Sequence, residues 1–153
     1  MSLEVLQLRV DYVEEKDGLL AKEIMTKDVF TVMEDDSLLV LQEVMKWRAI
    51  RHVPVVDQQE RIIGLLSHRD LLKLTVSALA EIDLKEEEAL LKRIPIAEVM
   101  GRKVWVVGPE IPIKYIAQEM VRQKIGCLPV VDEDQKILGI ITEADFVKLF
   151  ASY

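Results

Sequence analysis

Gly64, Ser67 and Asp70 follow one another at intervals of three residues, and Gly139, Thr142 and Asp145 do the same. A carboxylate can accept both hydrogens of a diol such as a ribose, and a hydroxyl beside free helix N–H groups can receive a phosphate. A glycine just before them would let a ligand approach the backbone. Those groups together suit a nucleotide better than a free sugar or an apolar ligand. The same residues have a purely structural reading. Ser67 with Asp70, and Thr142 with Asp145, have the spacing of capping boxes, and each glycine could simply relieve a crowded strand. What favours binding is that glycine, hydroxyl and acid recur together, each time after an identical Pro-Val-Val-Asp run, Pro54–Asp57 and Pro129–Asp132.

The recurrence extends well beyond the motif. Residues 21–74 superimpose on 96–149 at a constant offset of 75 without a gap. A copy of under 60 residues would bury only about 60% of its unfolded surface, a marginal core, so the two are expected to pack together as one module. Within each copy, Val29 to Val32 and Val104 to Val107 read as strands. The apolar stripes Leu38, Leu41, Met45 and Ile113, Ile116, Met120 mark the helices that follow. Val53 to Val56 reads as a strand with its proline near the start, then a polar turn, then a strand Ile62 to Leu66. A second helix begins near Ser67 or Thr142. The expected order is β-α-β-β-α in each copy, an α/β (α+β) fold with helices packed on small sheets. Between the copies, residues 75–95 read as an acidic helical connector. Asp83 and Glu86 have capping-box spacing, Pro95 follows the helix, and a helix Leu84 to Arg93 is predicted. That helix is either a solvated connector or a partner-docking surface. Residues 1–20 are expected to pack on the repeats as a strand or helix.

Composition excludes several functions. A net charge of −7 argues against a phosphate-backbone ligand, which needs many Lys and Arg along one face, so no nucleic-acid partner is expected. The apolar runs are far too short to span a bilayer, and the N-terminus lacks a signal-peptide layout. A single cysteine, Cys127, fits a reducing compartment, and a cytoplasmic location is expected. His52 and His68 lack partners at metal-ligand spacing, and Cys127 has no evident base. Trp47 and Trp105 are expected to cover the core or an interface. No catalytic constellation emerges, and the chain is not expected to be an enzyme.

On these residues both repeats resemble cystathionine β-synthase (CBS) domains, and the pair resembles the tandem arrangement called a Bateman module. The resemblance covers 21–149, with 21–74 and 96–149 as the two CBS repeats. It implies repeats associated through their sheets around a pseudo-two-fold axis, with clefts between them that bind adenosine-containing ligands of the AMP, ADP and ATP class. Asp70 and Asp145 would take the family's ribose-binding role, and Ser67 and Thr142 its phosphate-side role. Arg51, His52 and Val53, or Gly126, Cys127 and Leu128, would form the cleft wall. The copies differ in charge: Arg51, His52, His68 and Arg69 in the first have Gly126, Cys127, Glu143 and Ala144 at the matching positions of the second. A phosphate should therefore prefer surroundings from repeat one, because charge-assisted hydrogen bonds are the stronger ones. Arg69 has the alternative of holding Asp70 or a neighbouring carboxylate. Which aspartate shares a ligand with Arg51 stays open. The resemblance implies a regulatory homodimer of the energy-sensing kind that signals to an effector protein by conformational change. Its ligand is an adenosine nucleotide, with magnesium left open and no covalently bound cofactor. The alternatives are an S-adenosylmethionine sensor and a ligand-free structural or dimerisation module.

Overall fold

A computed structural model describes residues 4–10, 18–78, 83–101 and 103–152. The remainder of the N-terminal segment and residues 79–82 of the connector lie outside the described residues. The chain divides into two compact units, one built on residues 30–102 and the other on residues 4–29 together with 103–153.

The first unit contains β2 (Val32–Met33), α2 (Leu38–Arg48), β3 (His52–Val56), β4 (Ile62–Ser67), α3 (His68–Ala78) and α4 (Leu84–Arg93). A 3-10 turn follows at Ile96–Glu98. Its sheet runs β2-β3-β4, with β2 parallel and β4 antiparallel to β3. The short β3–β4 turn is made by Asp57, whose Oδ1 accepts the N–H groups of Gln59 and Arg61 at 2.9 and 3.0 Å. Burial pushes this carboxyl up, yet the Arg61 and Gln59 hydrogen bonds outweigh it and hold its pKa below the usual value. Asp132 makes the corresponding turn in the second copy through Asp134 and Lys136, each at 2.9 Å. Leu38, Leu41 and Met45 of α2 are buried, as the 3.6-residue stripe requires. They join Val53, Val55, Leu66, Leu71, Leu91 and Ile96 in one core.

The second unit contains β1 (Glu4–Gln7), α1 (Ala21–Ile24), β5 (Lys103–Val106), α5 (Ile113–Gln123), β6 (Cys127–Val131), β7 (Ile137–Thr142) and α6 (Glu143–Ala151). β1 lies parallel to β5, and β6 pairs antiparallel with β7. Val107 links the pairs, donating to Pro129 O at 3.0 Å and accepting from Val131 N at 2.9 Å. At the far side Thr26 and Ile140 exchange both backbone hydrogen bonds, each 2.9 Å. Ile116, Met120, Leu128, Val130 and Ile141 form this unit's core with Ala21 and Val107.

Both repeats show the expected β-α-β-β-α order, so the fold mixes helices and strands. Packing, however, groups the segment that leads into each repeat with the other repeat's sheet: residues 21–29 go with the second unit, and residues 96–101 go with the first. That grouping explains one departure from the sequence reading. The expected strand Val29 to Val32 is a strand only at Val32–Met33, because the chain leaves the second unit at residue 29 and joins the first at residue 30. Of the two places expected for Trp47, core or interface, it does not lie in the core: it is 76% exposed, with the Arg48 guanidinium 5.7 Å from its ring centroid. Trp105 is partly buried against the second core.

Candidate functional site

In the first unit the strand pair β3–β4 ends with His52 opposite Ser67. The next residue, His68, donates its backbone N–H to the carbonyl of Arg51 at 2.7 Å. Arg51, His52, Ser67 and His68 are thereby gathered at one end of the sheet, where α3 starts. Asp70 lies in the first turn of that helix. Its Oδ2 accepts both the backbone N–H and the hydroxyl of Ser67 at 2.8 Å, while Ser67 Oγ accepts the Asp70 N–H at 3.2 Å. This is a reciprocal cap, and it leaves the carboxylate half-buried with Oδ1 uncommitted among the described residues. Arg51, His68 and Arg69 are exposed, and Arg69 forms no ion pair with Asp70. Val53 is fully buried, so it supports the strand from inside.

The second unit repeats this arrangement with different chemistry. Cys127 pairs with Thr142 across β6–β7, and Glu143 donates its N–H to Gly126 O at 3.3 Å. Asp145 Oδ2 accepts the Thr142 N–H at 2.8 Å and the hydroxyl at 3.4 Å. Its Oδ1 is taken as well, by the Thr26 hydroxyl at 3.1 Å, and the side chain is 8% exposed. Thr26 stands where the second copy has Gly101, so Asp70 has no such partner. Thr26 is the residue that sequence reasoning missed. The break in the repeat at position 26 against 101 was the available signal. Leu128 is fully buried, and Cys127 is buried too. Burial, reinforced by the charge of Asp145, pushes the Cys127 thiol far above the ordinary range, which removes it as a nucleophile at neutral pH.

The motif glycines serve the chain's own packing. A Cβ on Gly64 would stand 3.1 Å from Met100 Sδ, and one on Gly139 would stand 2.6 Å from Met25 Sδ and 3.0 Å from the Thr26 carbonyl. Met25 and Met100 are equivalent at the offset of 75, so each lead-in seats its methionine on the other repeat's glycine. The space those glycines open is filled by sulfur, and the crowded-strand reading is the one the geometry supports.

Among the described residues no group of three His, Cys, Asp or Glu side chains could hold a metal ion, and no helix is long and apolar enough to cross a membrane. Two repeats, each presenting a capped aspartate where a strand runs into a helix, define a tandem module of one duplicated domain. The chain belongs to the CBS domain family, whose pattern matches residues 21–77 and 96–152. It is 31% identical over 149 residues to the protein MJ1225 of Methanocaldococcus jannaschii, covering 97% of this chain and 52% of that one. A Vibrio cholerae protein assigned to acetoin utilization (AcuB) superimposes with a TM-score of 0.72 at 34% identity, covering 88% of this chain and 92% of the other. The CBS domain pair of protein MJ0100, solved with 5′-methylthioadenosine and S-adenosyl-L-methionine, gives 0.73 at 25% identity, covering 88% and 97%. The chain spans about half of MJ1225 and 23% to 26% of several longer relatives.

Proposed function

We propose that this CBS domain pair is a regulatory module that binds an adenosine-containing nucleotide of the AMP, ADP and ATP class and passes its occupancy to a partner protein. The observation that carries this reading is the paired presentation of Asp70 and Asp145. Each is fixed by a hydroxyl residue at a helix start; Asp70 keeps Oδ1 for a ribose diol, whereas Asp145 would take one in exchange for the Thr26 hydroxyl. Asp70, with an uncommitted Oδ1 and Arg51, His52, His68 and Arg69 nearby in sequence, offers the more open carboxylate and the cations for a phosphate. Asp145, held on both oxygens, offers the more rigid one. Ser67 and Thr142 orient the acids, and the backbone around Val53, Cys127 and Leu128 forms the wall. The two sites are therefore inequivalent.

A ligand transmits a signal only by binding two arrangements of the protein with different affinity. The module acts by that means, as a cytoplasmic homodimer without turnover of its ligand, and its effector is a separate chain or another part of a longer one. An S-adenosylmethionine sensor is the second reading, favoured by the ligands in the MJ0100 structure. The test is thermal unfolding of ligand-stripped protein with AMP, ADP, ATP, each with and without magnesium, S-adenosylmethionine and GTP. Ligand at about a hundred times its dissociation constant adds roughly 2.7 kcal/mol, a midpoint rise of about 5 to 10 °C for this size. Asp70→Ala and Asp145→Ala should each reduce the response. A response to S-adenosylmethionine alone would select the second reading, and silence from every compound would leave a ligand-free dimerisation module.

A further inference from the structure

The two motif aspartates differ in one hydrogen bond. Both are capped by the hydroxyl residue three positions earlier, but Asp145 also accepts the Thr26 hydroxyl on Oδ1 at 3.1 Å. The cap does not need that contact, since Asp70 makes its cap without it. Nor is Thr26 there by slack in the chain. Its segment is braced at both ends: Ala21 and Lys22 donate to the carbonyls of Ile111 and Pro109 at 2.8 and 3.0 Å, and Thr26 exchanges two 2.9 Å backbone hydrogen bonds with Ile140. The backbone is thus fixed while the Thr26 side chain is exposed. A β-branched side chain changes χ1 by jumps between a few rotamers, so the hydroxyl is either on Asp145 or turned away from it.

We infer that Thr26 is a latch on the Asp145 site: its hydroxyl holds the carboxylate oxygen that a ribose diol would take, and so sets that site's affinity below what its other groups would give. A tethered hydroxyl acts as an intramolecular competitor, present at a high effective concentration whatever the ligand level. Ligand binding and seating of the hydroxyl are then linked, each opposing the other by the same factor. Asp70 carries no latch, because Gly101 stands where Thr26 stands in the other copy. The latch spreads the response over two ranges of one ligand, the Asp70 site answering first and the Asp145 site only at levels that displace the hydroxyl.

The inference rests on the ribose-binding reading of Asp145 and is tested separately from it. Isothermal titration of AMP, ATP and S-adenosylmethionine into the full chain carrying Asp70→Ala isolates the second site. Adding Thr26→Val, which keeps the shape and removes the hydroxyl, should tighten binding there about tenfold, the size expected for one hydrogen bond to a charged group. Thr26→Ser should restore the original affinity. With Asp145→Ala in place of Asp70→Ala, Thr26→Val should change nothing. A threonine that served only the fold would lower the melting temperature without tightening the ligand. In the wild-type chain, saturating ligand should turn Thr26 to a new rotamer, read from its γ-methyl NMR signal, a measurement that needs no substitution. Unchanged or weaker binding by the Thr26→Val chain, or a Thr26 rotamer that stays in place under saturating ligand, would overturn the latch alone. Binding of none of the three compounds to the wild-type chain would overturn the nucleotide reading and the latch together.

Discussion

Alanine at Gly139 and at Gly64 should have unequal consequences although the two glycines occupy the same position in the repeat. At Gly139 the added methyl would lie 2.6 and 2.7 Å from Sδ and Cγ of Met25 and 3.0 Å from the Thr26 carbonyl oxygen. Met25 can turn to another rotamer. Thr26 cannot yield so readily, because its backbone is tied to Ile140 by two 2.9 Å hydrogen bonds at the very next residue. Overpacking costs about 1 to 3 kcal/mol, and the need to move two groups places this case in the upper part of that range. Replacing a strand glycine recovers about 0.5 to 1 kcal/mol of backbone entropy. The net is a loss of about 1 to 2 kcal/mol, or a melting temperature lower by roughly 2 to 8 °C at this chain length. At Gly64 the tightest approach is 3.1 Å, to the flexible tip of Met100, and the next two are ordinary contacts at 3.6 Å. Cost and entropy gain there nearly cancel, leaving a change within about 0.5 kcal/mol. Thermal melts of the two single variants, followed by circular dichroism, compare them directly. Equal losses, or a neutral Gly139→Ala, would refute the reasoning that the second repeat's glycine is held by a backbone contact and the first by a side chain alone.

Other expectations concern caps, a hydrogen bond and the thiol. Ala49 ends α2 in the left-handed region at φ 52° and ψ 41°. That conformation costs a residue with a Cβ about 1 to 2 kcal/mol, partly offset by glycine's greater entropy loss, so Ala49→Gly should raise the melting temperature by about 1 to 4 °C. Thr26→Val removes the hydroxyl that donates to Asp145 Oδ1 and should cost about 1 to 2 kcal/mol, read as a melting-temperature fall of about 2 to 8 °C. Native protein should be inert to Ellman's reagent at pH 8 and release one equivalent of thionitrobenzoate on unfolding, because Cys127 is buried and keeps its proton. The same group sets a pH dependence: the unfolded thiol ionises above about pH 8.5 while the folded one stays protonated, so the folded state binds more protons and stability falls as pH rises beyond that point. Urea titrations from pH 7.5 to 10 would check it, and Cys127→Ala should remove that part of the slope.

The legible parts of this protein were those governed by near neighbours in sequence. Asp83 caps α4 by accepting the Glu86 N–H at 2.9 Å, and Ser67 with Asp70 and Thr142 with Asp145 form the caps that their spacing of three allows. Such pairs need only one helical turn to meet, so residue type and interval suffice. The duplication was equally visible, and with it the two-repeat fold, because one pattern of strands and helices written twice builds two similar units.

What lay beyond the sequence was every contact between residues far apart along it. Thr26 reaches Asp145 across 119 positions, and Met25 fills the space above Gly139. No local interval announces either. Gly139 could admit a ligand or a methionine equally well until the fold decided which segment came to rest on it. The unequal burial of α4 was hidden for the same reason. Its amphipathic face reads uniformly from Leu84 to Leu91, and only the position of the core beneath buries one leucine and leaves the other in water. Local hydrogen bonding follows from the order of residues. Which face is covered, and by what, depends on long-range packing, where the chain exchanges its two lead-in segments between sheets.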